Sequence, residues 1–138
     1  MIKETITLDA VKQNMDSLTE QIETLLSQVD CPMADVSKIL VCVDEIFNNI
    51  CSYAYSDGKN GKADIIIQAS AEDKKMSLSF KDHGIPYNPL EHEDPDTTLS
   101  ADERPIGGLG IFLVKKMMDN VNYQFINDEN VLTIEKSW

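Results

Sequence analysis

The stretch Val41-Cys42-Val43-Asp44-Glu45-Ile46-Phe47-Asn48-Asn49-Ile50-Cys51-Ser52-Tyr53-Ala54-Tyr55 governs how this chain folds. It continues a helical pattern that starts at Met33. Val36, Ile39, Leu40, Val43, Ile46, Phe47, Ile50 and Ala54 fall on one narrow stripe. At about 100° per residue, Glu45 and Asn49 lie roughly 200° and 240° round from the centre of that stripe. A helix over 33–56 therefore gives the stripe to a sheet and leaves Glu45 and Asn49, one turn apart, looking elsewhere. Asp44, Asn48 and Ser52 also lie on the polar side, so a plain solvated face competes with any functional reading of the pair.

On the N-terminal side, residues 2–8 alternate and read as a strand, with Asp9 placed to cap the next element. Val11, Met15, Leu18, Ile22, Leu25, Leu26 and Val29 recur at helical spacing and predict a helix over 10–28, broken by Asp30-Cys31-Pro32. Beyond the central helix, 56–61 has turn composition. Strands over 63–69 and 75–81 form a hairpin through Ala71-Glu72-Asp73-Lys74. Residues 87–106 are polar, acidic and carry Pro89, Pro95 and Pro105. A loop of that length inside a compact domain has the character of an active-site lid. Gly107-Gly108-Leu109-Gly110 opens a third helix with Ile111, Val114, Met118 and Val121 on its buried side. Strands over 122–126 and 131–135 close the chain across Asn127-Asp128-Glu129-Asn130. This order predicts an α+β fold in one domain over 1–138: a two-layer sandwich of a mostly antiparallel sheet with helices on one face.

The chain has 138 residues, 42% of them hydrophobic, and a formal net charge of −12. So acidic a surface argues against nucleic acid and anionic membranes as partners, and leaves room for a protein with a basic patch. The N-terminus lacks the pattern of a signal peptide, and no apolar stretch reaches the length of a membrane span. The three cysteines, Cys31, Cys42 and Cys51, have no metal or redox spacing. Cys42 and Cys51 point in roughly opposite directions on one helix. Buried thiols in a reducing cytoplasm fit this pattern.

Three motifs carry chemistry. Gly108-x-Gly110 runs into a helix, where backbone N–H groups approach phosphate oxygens and the helix N-terminus is partially positive. There is no P-loop or Rossmann spacing around it. Asp82-x-Gly84 follows a strand; an aspartate there can accept from an exocyclic amine such as that of adenine, and the glycine would let a flat base lie against the backbone. An ordinary turn explains that pair equally well. Glu45 can take a proton during phosphoryl transfer, and the amide oxygen of Asn49 is a hard donor suited to Mg²⁺. His83 and His92 do not make a metal site. Met117 and Met118 read as core filling, Lys115-Lys116 as a solvated pair, and Tyr53 and Tyr87 as either pocket walls or packing.

Taken in order, Glu-x-x-x-Asn on a helix, Asp-x-Gly-x-Pro after a strand and Gly-x-Gly behind a long loop resemble the histidine-kinase-like ATPases of the Bergerat fold, over roughly 37–134. The short length resembles, within them, the bacterial anti-sigma-factor serine kinases. That resemblance implies ATP and Mg²⁺ as cofactors, Glu45 as general base, and Asn49 holding Mg²⁺. It also implies Asp82 reading the adenine amine above Gly84, and residues 87–106 as the ATP lid. Gly108, Leu109 and Gly110 would cradle phosphate, and Arg104 would reach the terminal phosphate. Family members phosphorylate a serine on an anti-anti-sigma protein, bind a sigma factor, and commonly form homodimers. Two departures stand out: Tyr53 occupies the usual histidine position, and Ile50 replaces a small residue after the asparagine. A second reading is therefore a nucleotide-sensing switch that binds a partner without phosphorylating it. A sensor histidine-kinase catalytic domain would need its phospho-accepting helices on another chain.

Overall fold

The computed structural model describes residues 1–55, 61–91 and 108–138. Five strands, β1 (Ile2–Asp9), β2 (Lys62–Ser70), β3 (Lys75–Asp82), β4 (Asn120–Ile126) and β5 (Glu129–Ser137), form one sheet in the order β1-β2-β3-β5-β4. Every neighbouring pair is antiparallel. Three α-helices, α1 (Met15–Ser27), α2 (Met33–Asn49) and α3 (Gly108–Met117), accompany it among the described residues. This is the expected α+β architecture.

Strand alternation sorts the two faces. Ile65 and Ile67 of β2, Leu78 and Phe80 of β3, and Leu132 and Ile134 of β5 are buried with the helices. Their neighbours in sequence, such as Asp64, Ser79 and Thr133, lie on the more open face, where Ser79 and Thr133 share a 2.9 Å hydrogen bond. Val36, Ile39, Val43, Ile46 and Phe47 of α2 and Leu18, Ile22 and Leu26 of α1 complete the core. Each such side chain contributes about 1.5–3 kcal/mol by leaving water. Because α2 contacts both α1 and α3, it is buried more widely than its stripe requires. Cys42, off the stripe, is fully buried as well.

The differences from expectation lie at element ends. Asp9 does not cap α1: it remains in the β1 ladder opposite Lys62, and a short 3-10 turn over Lys12–Asn14 intervenes. The Asn14 side-chain amide instead donates to the Asp9 carbonyl at 2.9 Å. The central helix is α-helical only to Asn49 and continues as a wider π turn over Ile50–Ala54. α3 stops at Met117, because the Asp119 N–H already bonds to the Glu135 carbonyl at 2.9 Å; Val121 consequently belongs to β4. The last hairpin turns on two residues, Asn127 and Asp128, both with positive φ (55° and 61°). Asn and Asp tolerate that region, and a two-residue turn of this hand matches strand twist. Glu129 and Asn130 are thereby in β5, not in the turn. Among the described residues no helix is long and apolar enough to cross a membrane.

Candidate functional site

The end of α2, its π turn, and the C-terminal end of β3 enclose a cleft with an empty volume of about 470 Å³, open solvent at its mouth included. Ile46, Ile50, Ala54, Phe80, Ile85 and Leu132 make it largely apolar. The polar groups reaching it include Asn49, Asp82 and Asn130. Tyr53 and Tyr87 both line it, with ring centroids 6.4 Å apart and planes tilted by 38°, so they stand in the cleft wall and also meet each other.

Two hydrogen-bonded seams shape this cleft. The Tyr55 hydroxyl donates to the Lys62 carbonyl at 2.6 Å and accepts from the His83 N–H at 2.9 Å, tying the helix end to β2 and β3. The Ile85 N–H donates to the Ala54 carbonyl at 3.0 Å. Gly84 is what lets the chain come so close. A Cβ there would stand 2.6 Å from the Ala54 carbonyl carbon. The side of Gly84 where a side chain would project is thus filled by helix backbone. On that side the glycine serves chain packing.

Asp82 is 6% exposed at the end of β3. Its Oδ1 accepts from the Gly84 N–H and from the Asn130 side-chain amide, each at 2.9 Å. Both bonds fall on the one oxygen. Oδ2 has no hydrogen-bond partner among the described residues, and Asp82 lines the cleft. Burial pushes the carboxyl above its ordinary value, and the two hydrogen bonds oppose this. The result is a fixed acceptor in an apolar slot, suited to an N–H donor on a flat ligand.

Glu45 lies outside the walls of the cleft, one turn before Asn49. Its carboxylate packs on the first turn of α3, where a Cβ on Gly110 would overlap Oε2. The first N–H groups of a helix have no partner within it and its N-terminus is partially positive, and Gly108–Gly110 open α3. An anion bound there would find Glu45 beside it. Glu45 and Asn49 supply oxygen donors of the kind Mg²⁺ takes when phosphates complete its shell. Among the described residues no trio of His, Cys, Asp or Glu is gathered into a self-sufficient metal cage.

The structure therefore brings Asn49 and Asp82 together in the cleft, sets Gly84 behind it, and joins Glu45 to Gly110 at the neighbouring corner. Gly108 and Leu109 begin α3. Arg104, His92 and the rest of 92–107, which hold most of the expected ATP lid, lie outside the described residues. Lys115 and Lys116 are exposed in the last turn of α3, roughly 11 Å along the axis from Gly108. Lys116 Nζ sits 5.3 Å over the Phe112 ring. His83 is 3.8 Å from Glu129. Asn130 and Tyr123 line the cleft without having been foreseen. The signal for Asn130 was present: it continues the inward alternation of Leu132 and Ile134 by two residues.

The family profile described as histidine kinase-like ATPase domain matches residues 8–136. The serine/threonine-protein kinase BtrW of Bordetella bronchiseptica is 29% identical over 96 residues, which cover 70% of this chain and 66% of that protein. The anti-sigma F factor of Bacillus subtilis is 23% identical over 113 residues, 82% of this chain and 76% of that protein. A crystal structure of the RsbU and RsbW domains of Rv1364c from Mycobacterium tuberculosis aligns with a TM-score of 0.69 at 14% identity. That alignment covers 99% of this chain and 32% of the other. At that identity the likeness is one of fold.

Proposed function

Because the chain belongs to the histidine kinase-like ATPase family, whose profile spans residues 8–136, we propose that it is an ATP-dependent serine/threonine protein kinase of the anti-sigma type. Its substrate is a serine on a small anti-anti-sigma protein, and its alternative partner is a sigma factor. Both partners are cytoplasmic, as the chain itself is proposed to be. Two relatives bear the names serine/threonine-protein kinase and anti-sigma F factor, which supports this reading.

The observation that carries it is the Glu45 carboxylate packed on the first turn of α3, one helical turn from a cleft that presents Asp82 Oδ2. The adenine amine donates to Asp82, and the base lies between the apolar walls. The phosphates extend toward the backbone N–H groups of Gly108, Leu109 and Gly110. Glu45 takes the proton of the attacking serine hydroxyl. The serine oxygen bonds to the γ-phosphorus, the bond to the β,γ-bridging oxygen breaks, and ADP leaves. Asn49, with Glu45 nearby, would hold Mg²⁺, which would supply positive charge against the phosphates. Arg104, from the 87–106 lid, adds positive charge at the terminal phosphate.

Incubation with γ-labelled ATP and an anti-anti-sigma domain tests the proposal. Label should pass to serine, and Glu45→Gln should stop transfer while calorimetry still shows ATP binding. Transfer undiminished in Glu45→Gln refutes the assigned base. Tyr53, at the usual histidine position and on the cleft wall, favours a second reading: a nucleotide-sensing switch. For a switch, the wild-type chain binds ATP, changes its partner affinity and transfers no label.

A further inference from the structure

Asn130 is 6% exposed, and its side chain is wholly engaged within the protein. Its Nδ2 donates to Asp82 Oδ1 at 2.9 Å and to the Ile85 carbonyl at 2.9 Å. Its Oδ1 accepts from the Tyr87 N–H at 3.1 Å and from the Tyr123 hydroxyl. A primary amide has two donors and two acceptor lone pairs, and here all four are used. The neighbours also fix its orientation. Tyr87 N–H can only donate, and the Ile85 carbonyl can only accept, so a flipped amide would lose these bonds.

A side chain so engaged has nothing left to offer a ligand. Its effect must pass through the groups it holds. One is Asp82, opposite Asn130 in the β3–β5 register. With Oδ1 held by both Asn130 and the Gly84 N–H, rotation of the carboxylate is opposed, and Oδ2 is the oxygen left for a ligand in the cleft that Asp82 lines. The other is the segment from Gly84 to Tyr87, which leaves the sheet and hangs on the Asn130 amide by Ile85 and Tyr87.

We propose that Asn130 is a positioning residue for nucleobase recognition, aiming Asp82 Oδ2 at the exocyclic amine through a hydrogen-bond chain that runs from the Tyr123 hydroxyl. This rests on the ATP reading. Without the Asn130 amide, Oδ1 keeps a single donor and the carboxylate is free to rotate away from the amine.

Calorimetric titration of the full chain with ATP, and with purine riboside 5′-triphosphate, which lacks the amine, tests it. The wild type should prefer ATP. Asn130→Ala should weaken ATP by about tenfold or more and the amine-free nucleotide far less, so the preference shrinks. Loosening of the 84–87 segment affects both ligands alike and cancels in the ratio. In an Asp82→Ala background, Asn130→Ala should add little, because both substitutions remove one interaction. An equal loss for both nucleotides, or full additivity with Asp82→Ala, overturns the proposal. Tyr123→Phe removes one hydroxyl from the chain and carries the test if Asn130→Ala does not fold. It should reduce the preference in the same direction, and an unchanged preference overturns the proposal. A wild type that binds no ATP overturns the nucleotide reading and this proposal with it. A wild type that binds both nucleotides equally overturns the role of Asp82.

Discussion

Replacing Gly110 with alanine separates the placement of the Glu45 carboxylate from the stability of the fold. The new Cβ would overlap Glu45 Oε2 and lie 3.1 Å from Cδ. Comfortable carbon contacts begin near 3.5 Å, so the carboxylate must retreat by about an ångström or more. The obstacle is the end of a flexible side chain, so Glu45 swings while the helix backbone stays. Alanine in a helix is favoured over glycine by about 0.5–1 kcal/mol, which offsets part or all of the crowding. With Glu45 as the base, an ångström of misplacement reduces transfer by about a hundredfold, or roughly 2.7 kcal/mol in barrier. Stability and activity should therefore part. The melting temperature should hold or rise slightly while label transfer to the anti-anti-sigma domain falls steeply. Thermal unfolding and the label-transfer assay on the same preparation read both quantities. A folded Gly110→Ala protein that transfers at the wild-type rate would refute the claim that the contact between Glu45 and α3 matters to chemistry.

Gly84→Ala should behave in the opposite way. Here the Cβ meets the backbone of Ala54, with the carbonyl carbon at 2.6 Å and Cα at 2.7 Å, and no side chain can move aside. Overpacking of about 1–3 kcal/mol, plus about 1 kcal/mol for the lost hydrogen bond from Ile85 to Ala54, should appear in urea unfolding; an unchanged midpoint contradicts the packing. Asp82→Asn probes the buried carboxyl. Burial raises its folded pKa above the ordinary 3.8, so the folded state holds the proton more tightly than the unfolded one. Stability from this group is full below the unfolded value and is lost as pH rises through the folded one. A neutral amide at this position carries no such loss, so the variant should gain stability relative to wild type from about pH 3.8 upward, while ATP binding weakens at least tenfold. Unfolding curves that run parallel across that range would rule out the carboxyl as the source.

The readable parts of this chain were those with a local period. The stripe on α2, the alternation of β2 and β3, and the spacing from Glu45 to Asn49 each depend on side chains within a turn or two of one another. What was misread lay where a neighbour from elsewhere intervened. Asp9 looked like a cap but is held in the ladder by Lys62. Val121 fitted the α3 stripe, yet β5 draws the chain into the sheet beforehand. The wide turn at Ile50–Ala54 departs from the α-helical period that the stripe implied. Asn130 was lost in an assumed four-residue turn, and the two-residue turn over Asn127 and Asp128 restored it to the inward face.

Residue order alone was enough for the element types and the α+β arrangement, and it singled out three groups of candidate residues: Glu45 with Asn49, Asp82 with Gly84, and the glycines opening α3. Those come from composition and period within single segments. It took the packed chain to show that Glu45 meets Gly110, that Gly84 is pressed against Ala54, and that Asn130 holds Asp82 across 48 residues of sequence. The physical reason is register. One residue more or less in a hairpin turn sends every later side chain of the strand to the other face of the sheet. A hydrogen bond between strands exists only once that register is set.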